Sequence, residues 1–304
     1  MNSNYDLNSQ PAEITLEQLF ATIWRGKWFI VACVVLCSAA AVLYALKLPN
    51  VYKAEATLAP VTDESGLKIP GQLGGLAALA GVNLGSSGSK NTALAIEVLK
   101  SRGFLMQFIE QHDLFVPVIA AKGWDRESNA LLINEEVYDT STSTWVRKPK
   151  PFQSVKPSAL EVHKEFRKKF TVNQEKASGM VKVSLEHYSP VLAKEWLMQL
   201  VKDLNNEIRV RNVTEAESSI AFLQQQLKAT DIADVRTMLY SLIEEQTKTL
   251  MLANVRDEYV LKVVDPAVVP EEKSGPMRSL IVVLSAFLGS ILAIFIVFFT
   301  LRRR

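Results

Sequence analysis

Residues 28 to 46 read WFIVACVVLCSAAAVLYAL, 19 positions without a charge, and residues 279 to 301 read SLIVVLSAFLGSILAIFIVFFTL, another 23. A hydrocarbon core about 30 Å thick is crossed by roughly 20 helical residues, so each run is long enough to span a bilayer. The competing readings are a buried core helix for either run and a signal peptide for the first, since Arg25 and Lys27 precede it. Against a signal peptide, 24 residues lie upstream of Arg25 and no small-x-small cleavage site leads into a polar start. Two transmembrane helices are therefore expected, at 28–46 and 279–301. A mean hydropathy of +0.11 and a hydrophobic content of 48% agree, both high for a soluble chain.

Orientation follows from the flanking cations. Arg25 and Lys27 lie before the first span, and Arg302, Arg303 and Arg304 follow the second. Both termini are expected in the cytoplasm, as a tail over 1–27 and a short end over 302–304. Residues 47–278 are expected on the far side, the periplasm of a Gram-negative-type envelope. That segment holds 29 basic and 29 acidic residues. A net charge of zero gives no purchase on a polyanion, so no nucleic-acid partner is expected. The two cysteines, Cys33 and Cys37, both sit in the first span. The soluble part is thus built without disulfides or thiolate metal sites.

Working outward from the spans, Thr15 and Gln18 fit a capping box. Leu16, Leu19, Phe20, Ile23 and Trp24 recur at helical spacing, which predicts an amphipathic helix on the cytoplasmic face or an early start of the first span. Within the spans, Cys33, Cys37, Ala41 and Ala45 form a small-residue face, as do Ser285 with Gly289 and Ala286 with Ser290 and Ala293. Small faces let membrane helices approach closely, so Cys37, Ala41, Ser285 and Gly289 are assigned to transmembrane packing.

Between the spans, Tyr52 to Leu58 alternates apolar and polar residues, a half-buried strand. Residues 69–89 carry no charge and six glycines, read as a loop. Thr92 to Gln111 reads as a helix, 112–156 gives no clear pattern, a short helix begins near Pro157, and strands are expected at Phe166–Gln174 and Met180–Glu186. The period then changes. Ser189-Pro190 is a helix start, with Ser as cap and Pro in the first turn, and no Gly or Pro follows until Pro266. A helix over 190–228 would be about 58 Å long. Leu197, Leu200, Leu204 and Ile208, then Val213, Ala216, Ile220, Leu223 and Leu227, mark a narrow apolar stripe suited to helix-on-helix packing. Asp231 is positioned to cap a second helix running to about Asp257, and Tyr259–Val264 reads as a strand. The expected fold is a membrane-anchored α+β chain: two transmembrane helices flank a periplasmic domain with a small mixed base and a long extended helical arm. We assign Leu200, Leu204, Ile208, Ile220 and Leu223 to arm packing or subunit contact. Pro266, Pro270, Pro276 and Arg278 are assigned to a stiff entry into the second span.

Signatures of chemistry are few. His112, His163 and His187 form no ligand spacing, no GxxxxGK[ST] loop occurs, and the nearest text, GSSGSK at 85–90, has the wrong spacing. No GxSxG elbow is present. Glu244-Glu245 sits among polar neighbours, a solvated face. No catalytic residue, cofactor or metal is expected.

The chain resembles the Wzz chain-length determinants, also called polysaccharide co-polymerases. The resemblance lies in ITLEQLFATIWRGK at 14–27, LPNVYKAEATLAP at 48–60 and VDPAVVPEEKSGPMR at 264–278, together with the long helix. It implies an α+β base near the membrane with a helix pointing away from it. It also implies ring-shaped homo-oligomers, commonly octamers, that set the modal length of glycans built on undecaprenyl-diphosphate by a membrane polymerase. The O-antigen subgroup of lipopolysaccharide is the nearest. The chain is shorter than is usual there, and it is expected to lack the cytoplasmic kinase domain that some exopolysaccharide relatives carry. A capsule or exopolysaccharide export co-polymerase working with a separate tyrosine kinase is the alternative. A two-span sensory receptor is disfavoured, since only 24 or so N-terminal residues could carry its signal inward.

Overall fold

A computed structural model describes residue 24 and residues 27–61 and 87–302. The expected amphipathic helix before Trp24, the glycine-rich loop up to residue 86 and the last two arginines fall outside these residues. The chain divides into two units, Asn50–Ser274 and the two terminal segments ending at Pro49 and starting at Gly275.

In the central unit the alternating run forms strand β1 (Tyr52–Pro60), with Ala54, Ala56 and Leu58 turned into the core. It is followed by α2 (Ser87–Lys100), α3 (Arg102–Gln111), α4 (Phe115–Ile119), β2 (Ala121–Trp124), β3 (Leu131–Ile133), β4 (Tyr138–Asp139) and β5 (Thr144–Trp145). Then come α5 (Ala159–Lys169), β6 (Phe170–Gln174), β7 (Val181–His187), α6 (Pro190–Ala229), α7 (Ala233–Val255) and β8 (Leu261–Asp265). Label α1 is kept for Lys27–Lys47 and α8 for Arg278–Arg302, the helices of the terminal unit.

Four strands make one antiparallel sheet in the order β6-β7-β1-β8. Register places Ala54 opposite Leu185, Ala56 opposite Val183 and Leu58 opposite Val181, so the buried faces of β1 and β7 coincide. Helices α2, α3, α5 and the first half of α6 supply the other layer. Phe108 of α3 lies 6.0 Å from Phe166 of α5, and Phe166 lies 6.1 Å from Phe170. Fully burying a side chain of this size contributes about 1.5–3 kcal/mol, and the core holds many: Leu58, Leu99, Leu105, Phe108, Ile109, Leu185, Leu197, Leu200 and Leu204 are all sealed.

Several expected boundaries move. The helix expected over Thr92–Gln111 is two helices, because the Ser101 hydroxyl accepts the Phe104 N–H (3.2 Å) and starts α3 afresh. Residues Phe166 to Lys169 complete α5 rather than opening a strand, which lets Phe166 face Phe108; β6 begins at Phe170. The start of α7 falls after Ile232, which makes no side-chain cap bond, so Asp231 lies one position too early to cap it. Strand β8 begins at Leu261, two residues later than Tyr259. Helix α6 runs Pro190–Ala229, its first turn held by Ser189 Oγ accepting the Leu192 N–H (3.3 Å).

Candidate functional site

Helix α6 is about 60 Å of rod with two kinds of neighbour. Its first half lies on β1 and β7, and its second half pairs with α7. Leu200, Leu204 and Ile208 belong to the first half and are buried in the core of the same chain, Leu200 and Leu204 completely. Ile220 and Leu223 belong to the second half and are only half-buried. The five residues grouped by one stripe thus split between a domain core and an arm. Along the arm only Ala216 of α6, and Leu239 and Ala253 of α7, are buried, while Phe222, Met238, Tyr240 and Met251 lie 54–64% exposed.

Sequence reasoning missed the residue that ties arm to sheet. Asn205 is buried, and its carboxamide Oδ1 accepts the N–H groups of Val260 (2.8 Å) and Leu261 (3.1 Å). Its Nδ2 donates to Leu261 O (2.9 Å) and Val201 O (3.2 Å). Pro60, the ladder partner of Leu261, has no N–H to offer, so the Leu261 carbonyl takes its donor from the helix instead. The available signal was an Asn next to the apolar stripe; its partners lie 55 and 56 residues away. Two turns along, Asn212 Nδ2 donates to the Tyr259 hydroxyl (3.0 Å).

Asp203 on the same helix accepts from Gln199 (2.8 Å) and meets His112 Nε2 of α3 at 2.7 Å. A cleft of about 680 Å³ beside it is lined by Lys202, Asp203, Asn206, Arg209, Asp257 and Glu258 among others, a surface of both signs. His187 is buried against Trp196, with ring centres 4.7 Å apart. Its Nδ1 accepts the Ser189 N–H (3.1 Å) while Nε2 donates to Pro117 O (3.2 Å). Burial pushes its pKa down to about 4; the Pro117 bond opposes that and the Lys169 charge adds to it. The neutral imidazole is a strut at the foot of α6. His163 is likewise pushed down, by burial first and then by Arg167 and Arg102. Among the described residues no group of three or more His, Cys, Asp or Glu side chains could hold a metal ion.

In the terminal unit, helices α1 and α8 are each long and apolar enough to cross a membrane, and they pack along their small faces. Ser285 Oγ donates to the Cys37 carbonyl (3.1 Å). A Cβ at Gly289 would lie 3.0 Å from Cys37 Cβ and 3.2 Å from its Sγ, so any larger residue makes the pair give by a few tenths of an ångström. Ala41, Ala45 and Ala293 are buried in the same seam. The fourfold spacing brings Cys37, Ala41, Ser285 and Gly289 onto the facing sides of one helix pair. Of the proline-rich stretch, Pro266 is exposed, Pro270 and Pro276 are half-buried, and the Gly275-Pro276 bond is cis. Arg278 Nη2 donates to the Leu48 carbonyl (3.1 Å), across the ends of α1 and α8.

Two apolar helices at the ends of a chain, enclosing an antiparallel sheet and a 40-residue helix, define a chain of the membrane-anchored α+β class. Residues 12–112 match the family model for Wzz, chain length determinant protein. That stretch, about a third of the chain, carries a Wzz chain length determinant domain. Residues 222–302 match the model described as "G-rich domain on putative tyrosine kinase". Among solved structures, the chain is similar to a full-length bacterial polysaccharide co-polymerase, at 14% identity and a TM-score of 0.40, covering 95% of this chain and 99% of that one. It is also similar to a fragment of WzzB, a polysaccharide co-polymerase from Salmonella Typhimurium, at 14% identity and a TM-score of 0.31, covering 74% and 100%. No curated protein matches it in sequence.

Proposed function

We propose that this chain regulates the length of a cell-surface polysaccharide, the O antigen of lipopolysaccharide, as a homo-oligomeric ring of about eight copies. Its partner is the membrane polymerase that extends the undecaprenyl-diphosphate-linked glycan, and it breaks and makes no bond itself. The observation that carries this reading is the chain length determinant match. The arm supports it: Phe222, Met238, Tyr240 and Met251 leave apolar surface on α6 and α7 that neighbouring copies would cover. Repeated weak sites on a ring raise the effective concentration of glycan or polymerase without any strong single contact.

The cations at 25, 27 and 302–304 support an inner-membrane location with cytoplasmic ends and a periplasmic central unit. Under this reading Pro266, Pro270, Pro276 and Arg278 form the stiff passage into the second span. The test is the size profile of the surface glycan with and without the gene. Deletion is expected to abolish the preferred length, and an unchanged ladder refutes the function. A second reading, a capsule or exopolysaccharide export co-polymerase acting with a separate tyrosine kinase, is favoured by the match over residues 222–302. It predicts that deletion alters the amount or length of capsule and leaves the O-antigen ladder intact.

A further inference from the structure

The stretch 112–156, patternless in sequence, builds a cleft at the margin of the core, against which its Phe115 packs. Tyr138 and Trp145 face each other across the β4–β5 hairpin with rings 5.0 Å apart, edge to face. Both are half-exposed. Opposite them stands Phe115 of α4, with the Lys156 ammonium 5.7 Å above its ring. Asp113 and Ser143 complete the walls, both with left-handed backbone (φ 49° and 54°). The cleft encloses about 470 Å³, inside the range of small-molecule sites, about 300–1,000 Å³.

Both walls are pinned by hydrogen bonds of their own. Asp139 accepts four hydrogen bonds in the hairpin turn, from Ser141 N (2.8 Å) and Oγ (2.6 Å) and from Thr142 N (3.3 Å) and Oγ1 (2.8 Å). On the other side Arg147 Nε donates to Val155 O (2.8 Å) and Nη2 to Ser154 O (2.9 Å), while its guanidinium is held by Glu161 of α5 (Nη2 to Oε2, 2.8 Å). A small hairpin and a loop so firmly fixed around half-exposed rings form a pre-organised site, which lowers the ordering cost of binding.

We propose that this cleft is a subsite for one pyranose ring of a glycan chain. A pyranose has an apolar face of C–H groups and a rim of hydroxyls. The Trp145 and Phe115 rings offer apolar surface with a polarisable face, and the Asp113 carboxylate, the Ser143 hydroxyl and the Lys156 ammonium supply acceptor, mixed and donor groups for the rim. A phosphate would meet the Asp113 carboxylate, and an aliphatic side chain would strand the polar rim, so the saccharide satisfies more of the wall than either. The subsite rests on the reading that the chain handles a polysaccharide, and adds to it a place of contact away from the arm.

The test uses the full-length protein in detergent and, as probe, polysaccharide released by mild acid from the surface of the producing cell, with binding followed by calorimetry. Wild type is expected to bind, Trp145→Ala to weaken binding about ten-fold and Trp145→Phe to restore it to within about two-fold, since one stacked ring is worth about one decade. Asp113→Asn keeps the backbone preference and is expected to weaken binding about three-fold with an unchanged unfolding midpoint. If Trp145→Ala lowers that midpoint, Asp113→Asn decides. Failure of wild type to bind, or wild-type affinity in Asp113→Asn and in a folded Trp145→Ala, overturns the subsite. Gene deletion separates the two claims: loss of modal length with wild-type binding in both variants sinks the subsite alone, and an unchanged ladder with intact binding sinks the regulatory role alone.

Discussion

Replacing Asn205 with Ala should release β8 from the arm. The substitution removes the acceptor for the Val260 and Leu261 N–H groups and the donor to the Leu261 carbonyl. Both residues are sealed from solvent, Val260 at 5% and Leu261 at 0% exposure. Leaving a buried polar group unpaired costs about 1–3 kcal/mol. Three such groups, two of them sharing one lost acceptor, put the penalty at about 3–6 kcal/mol. That is a large part of a total stability of about 5–15 kcal/mol. Urea unfolding of the detergent-solubilised protein, read by tryptophan fluorescence, should show the midpoint drop at unchanged slope. Amide exchange at Val260 and Leu261 should accelerate before that of β7. A loss below about 1 kcal/mol, with exchange at these two amides unaltered, would refute the reasoning, because the strand would then be held by its ladder with β1 alone.

Two further outcomes follow from the packing. His187 is held neutral, its pKa pushed from the usual imidazole range to about 4. The unfolded chain therefore takes up the proton first, and the stability this group contributes is full above about pH 6.5 and drains away as pH falls toward 4, by about 3 kcal/mol. Unfolding midpoints measured from pH 7.5 to 4.5 should fall less steeply in His187→Gln, and parallel curves would remove His187 as the cause. In the terminal unit, Gly289→Cys in a Cys33→Ala background places a thiol beside Cys37. Mild oxidation should give a disulfide within one chain, seen as a monomer of faster mobility on a non-reducing gel; disulfide-linked dimers only would mean that α1 and α8 pair between chains.

The parts of the fold legible in sequence are those governed by local rules. The two spans are set by length and absence of charge, α6 by Ser189-Pro190 and the long gap before Pro266, and β1 and β7 by alternation. In the spans, a spacing of four projects the small residues directly onto one face. What sequence misplaced depends on contacts across the chain. Ser101 interrupts a continuous helical pattern because a cap is a conformational choice that periodicity does not record. Phe166 looks like the start of a strand until Phe108 is beside it. The apolar stripe of α6 is uniform in text, yet Leu204 and Leu223 lie in different surroundings, because the sheet ends partway along the helix. Asn205 showed only as an Asn beside the apolar stripe, and Trp145 and Tyr138 gave no signal, each acquiring its role from partners distant in sequence or from a turn four residues long.

The continuity of α6 has a mechanical consequence. A rod of 40 residues with no Gly or Pro after its first position contains no hinge, and Asn205 clamps it to the sheet some 24 residues short of its far tip. It therefore behaves as a cantilever: a sideways load at the tip cannot be absorbed by local bending and arrives as torque at the clamp. Strand β8, fastened to that clamp, is the first element to register it, so strain gathered far out along the lever would be delivered to the strand that precedes the second apolar helix.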